Sequence, residues 1–258
     1  MKILFIGDIV GKPGRQALKQ FVQPLREQYQ ADMVIANAEN AAGGNGLTKA
    51  VAHEIYDFGV DFLTMGNHVW DQREIFAYIE EEQRLIRPAN YPPGAPGRGY
   101  ALVRANGKKV GVLNLAGRVF LAPLDDPFSS AMRWLNEIRK ETPIVLVDFH
   151  AEATSEKVAM GWFLDGKASA VLGTHTHIQT ADARILEQGT AYISDVGMTG
   201  PRDSVLGVKK EIAIAKFLTQ MPAKFEVAGG PVQLNAVIVD IDETTGRARC
   251  IESIQRFG

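Results

Sequence analysis

Residues Gly173 to His177 place two histidines, His175 and His177, one residue apart just after the apolar run Ala168–Leu172. The run reads as a buried strand, and alternate residues on extended backbone project to the same side. His175 and His177 are therefore expected to face one site together. Two neutral imidazoles in that position form a ligand pair for a transition metal of intermediate softness. A His-x-His pair alone fits two polar loop residues equally well, so the remaining ligands must come from elsewhere in the chain.

The chain has five histidines. His68, His150, His175 and His177 each follow a predicted strand, whereas His53 falls inside a predicted helix, where a surface or packing role is expected. Asp8 and Glu39 also sit just past predicted strands, and Asn40 and Asn67 stand beside members of the set. Singly, Asp8 fits a helix cap, Glu39 a solvated loop acid, and the asparagines turn residues. Together they offer nitrogen and oxygen ligands without sulfur, which suit iron, manganese, cobalt or zinc rather than a cysteine-bound structural zinc. A bridging carboxylate, Glu39, would hold two cations about 3.5–4 Å apart, a spacing useful for in-line displacement at phosphorus. Two divalent cations against two carboxylates leave surplus positive charge, which suits a phosphate substrate. Asp148 and Glu152 flank His150 as candidate outer acceptors, and Thr176 and Thr199 are candidate phosphate contacts. Gly11, Lys12 and Pro13 lack the Gly-x4-Gly-Lys-Ser/Thr pattern, which excludes a P-loop nucleotide site.

Positioning these groups requires a repeated unit. Lys2–Ile6, Met33–Ala36 and Asp61–Met65 are short apolar runs, each followed by a polar loop and then a helical pattern. The first helix carries Leu18, Phe21, Val22, Leu25 and Tyr29 at helical spacing, with a kink expected at Pro24. Thr48 is placed to cap the second, which stops at Gly59. Asp71 and Glu74 have capping-box spacing before the third. Strand, polar loop and helix in succession predict a parallel sheet with right-handed crossovers, whose carboxyl edge collects ligands. Asn106-Gly107 predicts a hairpin turn between Tyr100–Val103 and Val110–Leu115. A helix at 131–140, a strand at 144–147, a helix at 155–165 and two final strands near 233–241 and 248–254 complete the reading. The glycine-proline stretch 87–99 reads as an irregular surface loop. Residues 195–200 read as a further strand-end loop and 208–218 as helical. No repeat or linker divides the chain, so a single domain over residues 1–258 is expected, with loop 118–130 a candidate for a small cap.

Composition narrows the function classes. At 46% hydrophobic and 22% charged residues with a net charge of -2, the chain lacks the basic face that long nucleic acid requires. Its only cysteine, Cys250, excludes an intrachain disulfide and a thiolate cluster. The alternating apolar stretch around it predicts a buried, inert thiol. The run Ile3–Ile6 is interrupted at Asp8, too short for a signal-peptide core or a membrane span. A cytoplasmic protein with no membrane association is expected. A chain of this size is compatible with a homo-oligomer, though no residue pattern points to one.

The blocks Gly7-Asp8, Asn37-Ala38-Glu39-Asn40, Gly66-Asn67-His68, His150 and Gly173-Thr174-His175-Thr176-His177 resemble, in order, the five motifs of the calcineurin-like metallophosphoesterases. The resemblance runs from the start of the chain to about Gly200. More closely, Gly7–Arg15, Asn37–Gly46 and His150–Lys157 are similar to the YmdB family of bacterial phosphodiesterases. Val10 stands where the superfamily usually has a histidine, and Glu39 where it usually has an aspartate. These are YmdB-type substitutions. The resemblance implies an α/β fold of two packed mixed β-sheets flanked by helices, a four-layer sandwich. It implies two transition-metal ions, iron foremost, one held by Asp8, Glu39, Asn40 and His177. The other would be held by Glu39, Asn67, His150 and His175. It further implies a hydrolase of small phosphodiesters, cyclic nucleotides in particular (2',3'- or 3',5'-), using water acidified by the ions. His68, which extended backbone would turn away from Asn67, is then the proton donor to the leaving alkoxide. The alternatives are a phosphomonoesterase acting on small phosphates and a non-catalytic, metal-dependent nucleotide sensor.

Overall fold

The computed structural model describes residues 1–258. The elements are, in order, β1 (Lys2–Ile6), β2 (Asp8–Ile9), α1 (Gly11–Tyr29), β3 (Met33–Asn37), α2 (Lys49–Asp57), β4 (Phe62–Thr64) and α3 (Ile75–Glu81). They continue with β5 (Tyr100–Ala105), β6 (Lys108–Ala116), α4 (Pro127–Ile138), β7 (Val145–His150), α5 (Thr154–Phe163) and β8 (Ala170–Thr174). The chain closes with β9 (Arg184–Ile185), β10 (Ala191–Ile193), β11 (Met198–Pro201), α6 (Lys210–Thr219), β12 (Val232–Ile241) and β13 (Ala248–Phe257).

Two mixed sheets result. The first runs β2-β11-β12-β1-β3-β4, with β13 also paired to β12. The second runs β5-β6-β7-β8-β10-β9. Within them β1, β3 and β4 are mutually parallel, as are β6, β7, β8 and β10. The period-2 alternation of the strands explains the layering. In β1, Ile3 and Phe5 enter the core between the sheets, while Leu4 and Ile6 pack under the helices with Leu18, Val22, Leu25 and Ile55. In β7, Leu146 joins the inter-sheet core, and Val145, Val147 and Phe149 pack under α4 and α5 against Leu135, Ile138 and Met160. Strands buried on both faces must be apolar throughout, which is why these runs stand out in the sequence. The order is helices, sheet, sheet, helices: the four-layer sandwich expected.

Several local readings change. Helix α1 begins at Gly11, inside the glycine-rich segment, and runs unbroken through Pro24. Gly14 serves contact rather than phosphate binding, since a Cβ there would sit 2.5 Å from the Thr199 carbonyl oxygen. The Asp71–Glu74 capping box does not form: helix α3 has no side-chain cap, and Asp71 pairs instead with His68. Residues 198–201 form β11 rather than a loop, because Met198 and Thr199 pair with Asp8 and Ile9. Loop 87–99 is tied inward by Arg87 and Asn90, both buried and bonded to backbone carbonyls. Cys250 is exposed, on a strand whose residues are mostly open to solvent. The Asn106-Gly107 turn is as expected, both residues at positive φ. No helix is long and apolar enough to cross a membrane.

Candidate metal centre

Five strand ends deliver the polar residues. Asp8 opens β2 one residue after β1; Glu39 and Asn40 follow β3; Asn67 and His68 follow β4; His150 ends β7; His175 and His177 follow β8. Both sheets present their carboxyl ends to the same place, and the backbone N–H of His175 donates across to Asp8 Oδ2 at 3.1 Å.

At the centre lies His150 Nε2. Asn67 Oδ1 is 3.0 Å away, Glu39 Oε1 3.1 Å and His175 Nδ1 3.0 Å. The outer nitrogens of the rings are already committed. Thr174 Oγ1 donates to Asp148 Oδ1 and therefore accepts from His150 Nδ1 at 2.9 Å. His175 Nε2 lies 3.0 Å from Glu152 Oε2. Each ring thus turns its other nitrogen inward, and two such nitrogens 3.0 Å apart need a positive charge between them. Glu39, buried beside them, shows the same demand: burial would raise its carboxyl, but His150 and the His68 amide outweigh that and hold it at about 2. Burial opposes charge on His150, yet Glu39 and Asp8 outweigh it and raise the imidazole to about 9. Burial, then neighbouring His150, pushes His175 down to about 3. A proton is the least that this cluster can hold; its donor set of imidazoles, carboxylate and amide oxygen is that of a transition metal.

Beside it, Asp8, Asn40 and His177 form a second group around the other side of Glu39. Asn40 Nδ2 is 3.1 Å from Glu39 Oε1 and 3.3 Å from His177 Nε2. His177 Nδ1 donates to the Leu206 carbonyl at 3.0 Å, which again leaves Nε2 facing inward. Asp8 is fully buried, its carboxyl raised by burial against the pull of His177 and His150. Its Oδ1 has no hydrogen-bond partner. A buried, unpartnered carboxylate oxygen is costly, and a cation in this second group would satisfy it. The floor is shaped to match: a Cβ on Gly66 would lie 2.3 Å from Glu39 Oε2 and 2.4 Å from His150 Nε2.

His68 stands apart. Its backbone N–H donates to Glu39 Oε2, while its ring nitrogen Nδ1 pairs with Asp71 Oδ2 at 2.8 Å, one-third exposed in the cleft wall. The cleft has a volume of about 520 Å³ and is also lined by Val10, Leu206, Phe225 and Val227. No residue of loop 118–130 lines it; its outer wall comes from residues 206–208 and 225–227.

A profile described as YmdB-like protein matches residues 4–254. The chain belongs to the YmdB-like family. Its Bacillus subtilis (strain 168) relative named 2',3'-cyclic-nucleotide 2'-phosphodiesterase is 54% identical over 254 residues, covering 98% of this chain and 96% of that protein. The crystal structure of a novel phosphatase from Mycoplasma pneumoniae superposes with a TM-score of 0.94 at 36% identity, covering 100% of this chain and 93% of that one. A crystal structure of a hypothetical protein from Thermus thermophilus also reaches 0.94, at 43% identity with 100% and 99% coverage. The chain is a metallophosphoesterase, with the two-sheet fold of that superfamily, and a hydrolase of phosphoric esters.

Within this YmdB-like centre, His175 and His177 reach the site by a different route from the one their spacing suggests. Strand β8 ends at Thr174, and His175 and His177 have φ of 102° and 68°. Left-handed backbone in two bulky residues costs about 1–3 kcal/mol each. The turn is held from beneath by Asp195, whose Oδ2 accepts from Thr176 N at 2.9 Å and Thr176 Oγ1 at 2.7 Å. Lys157 Nζ donates to the same oxygen at 2.7 Å, both side chains being almost wholly buried. The Thr176 hydroxyl is thereby committed, and Thr199 Oγ1 is buried against Asn235. Neither threonine presents a free hydroxyl to a phosphate. Sequence reasoning missed Lys157, Asp195 and the Leu206 carbonyl as contributors to the site. A lysine on the inward face of an amphipathic helix is a signal for the first of them, since lysine is seldom fully buried unless paired.

Proposed function

We propose that this chain hydrolyses 2',3'-cyclic nucleotides at the 2' ester, using a dinuclear metal centre. The observation that carries the reading is the pair of inward ring nitrogens of His150 and His175, 3.0 Å apart beside Glu39, next to the unpartnered Asp8 oxygen. One cation would be held by Asp8, Glu39, Asn40 and His177, and the other by Glu39, Asn67, His150 and His175, with Glu39 shared. Bound there, the ions would supply Lewis acidity and a lowered pKa for water at neutral pH; iron, manganese, cobalt and zinc all suit the donors.

The protein residues supply the rest. Glu152, Thr174 and the Leu206 carbonyl fix which nitrogen each histidine turns inward. His68, oriented by Asp71, gives a proton from its other ring nitrogen to O2' as the P–O2' bond breaks and a water oxygen joins phosphorus. The product is a nucleoside 3'-phosphate. The name and 54% identity of the Bacillus subtilis relative support the 2',3'-cyclic isomer over the 3',5'. The cleft's apolar wall of Val10, Leu206, Phe225 and Val227 is suited to a nucleoside beside the phosphate.

Purified protein assayed for metal content and against 2',3'- and 3',5'-cyclic nucleotides and nucleoside monophosphates tests the proposal. About two metal ions per chain and turnover of the 2',3' isomer to the 3'-phosphate are expected. Release of inorganic phosphate from monophosphates alone would establish a phosphomonoesterase. Nucleotide binding without turnover would establish a sensor. A protein without bound transition metal and without metal-dependent activity would overturn all three.

A further inference from the structure

Helix α6 and its return, residues 210–227, pack against almost nothing. Of the helix only Ala213 is buried, and every residue from Ile214 to Glu226 is exposed. Yet Ile214, Phe217, Leu218 and Met221 recur at helical spacing on one stripe, with Phe217 76%, Leu218 80% and Met221 65% exposed. Phe225, half-exposed, returns to α6 beneath Lys216 at 4.6 Å. Helices this short are marginal in water and owe their stability to a packed apolar face. This helix has the face but no packing for it.

We propose that this stripe is the self-association surface of the protein, occupied by the same stripe of a second copy. At roughly 200 Å² per fully exposed side chain, these residues together present roughly 600 Å², the top of the range for a monomer's largest apolar patch. That is most of the roughly 800 Å² per partner in a stable interface, the rest falling to a polar rim. The stripe is rich in Phe, Leu, Ile and Met and free of charge. The rim carries both signs, with Lys209 paired to Glu226, Glu211 beside Lys210, and Lys216 and Lys224 nearby. A two-fold interface sets each surface against itself, which a mixed rim allows and a single-signed rim forbids. A strongly acidic or basic foreign partner would call for the opposite.

The surface is joined to the catalytic cleft. The strap that carries α6 is tied by Lys209 N to Glu226 O and Ala228 N to Gly207 O, and its inner residues Leu206, Phe225 and Val227 line the cleft. Leu206 O also holds His177. Covering the outer face of α6 would steady the wall and the His177 contact together.

Sedimentation equilibrium of the whole protein at micromolar concentration tests this without substrate or metal-dependent activity. A mass twice 28.2 kDa, or a multiple of that, is expected. The double variant Phe217→Glu/Leu218→Glu changes only exposed side chains and should halve the mass, weakening association at least about 100-fold. Amide hydrogens of 210–221 should exchange slowly in the wild type and fast in the variant, while those of β1 and β7 stay protected in both. Trp162→Glu, at an exposed apolar residue on α5, should leave the mass unchanged. A monomeric wild type, or an assembly whose mass the double variant leaves intact, overturns the proposal.

Discussion

The support beneath the His175–His177 turn should separate stability from metal binding. Two left-handed histidines store about 2–6 kcal/mol of strain. The two bonds that Thr176 gives to the Asp195 carboxylate return about 1.5–3 kcal/mol each, so support and strain are of similar size. Asp195→Asn has two expected effects. Lys157 keeps its charge in a buried place without a counter-charge, which costs about 3–5 kcal/mol, a large part of the roughly 5–15 kcal/mol typical of a domain. The amide NH2 also opposes the N–H groups of Thr176 and Gly197, which now share the carboxylate. The double variant Lys157→Met/Asp195→Asn removes the orphaned charge and should recover at least half of the lost stability in urea titrations. It does not restore the hold on Thr176. Both variants are therefore expected to bind metal about 10–100-fold more weakly, with kcat/KM for a 2',3'-cyclic nucleotide falling in parallel. A double variant with restored stability and also full metal content and full kcat/KM would refute the reasoning, since the turn would then hold itself.

Further expectations concern single residues. His68→Ala should lower kcat about 10²–10⁴-fold while metal content is unchanged; full activity would remove His68 from the reaction. Gly66→Ala should reduce bound metal, read by elemental analysis, because its methyl group occupies the space of Glu39 Oε2 and His150 Nε2. Where free metal stands at about 100 times its dissociation constant, stripping it with a chelator should forfeit about 2.7 kcal/mol, or about 5–10 °C in melting temperature for a chain of this length. Asp182 is expected to contribute to acid sensitivity. Burial would raise its carboxyl, but hydrogen bonds from Ser194 and Thr180 outweigh burial and hold it below its ordinary value. A lowered folded-state pKa stabilises above the unfolded value and loses that contribution as pH falls through the folded one. Asp182→Asn should therefore be less stable than wild type at pH 7 and converge with it below about pH 4.

What the sequence revealed and concealed follows from the kind of interaction involved. Strands β1, β3, β7 and β8 are buried on both faces, so their apolar runs are visible locally, and the polar residues at their ends can be placed on one edge from the sequence alone. Two-residue strands such as β2, and β11 which pairs with it, carry no such pattern; they exist because Asp8 and Ile9 find Met198 and Thr199 across the chain. The same limit hides the Lys157–Asp195 pair, 38 residues apart, and turns Asp71 from an expected cap into the partner of His68.

The histidine pair shows how a local rule can give the right destination by the wrong path. Period-2 geometry places His175 and His177 on one side of a strand, and they do converge on one centre, but not on extended backbone. An extended segment would space the two imidazoles along the sheet edge, about 6–7 Å apart at the Cα atoms, and would aim both in one direction. The strained turn instead lets each ring take a separate outer acceptor, Glu152 for His175 and Leu206 O for His177. Each then turns a different nitrogen inward, Nδ1 towards His150 and Nε2 towards Asn40. Dividing one short segment between two groups of ligands requires that independence. The strain is thus tied to the division, and the buried Asp195 carboxylate beneath Thr176 is what allows both rings to keep it.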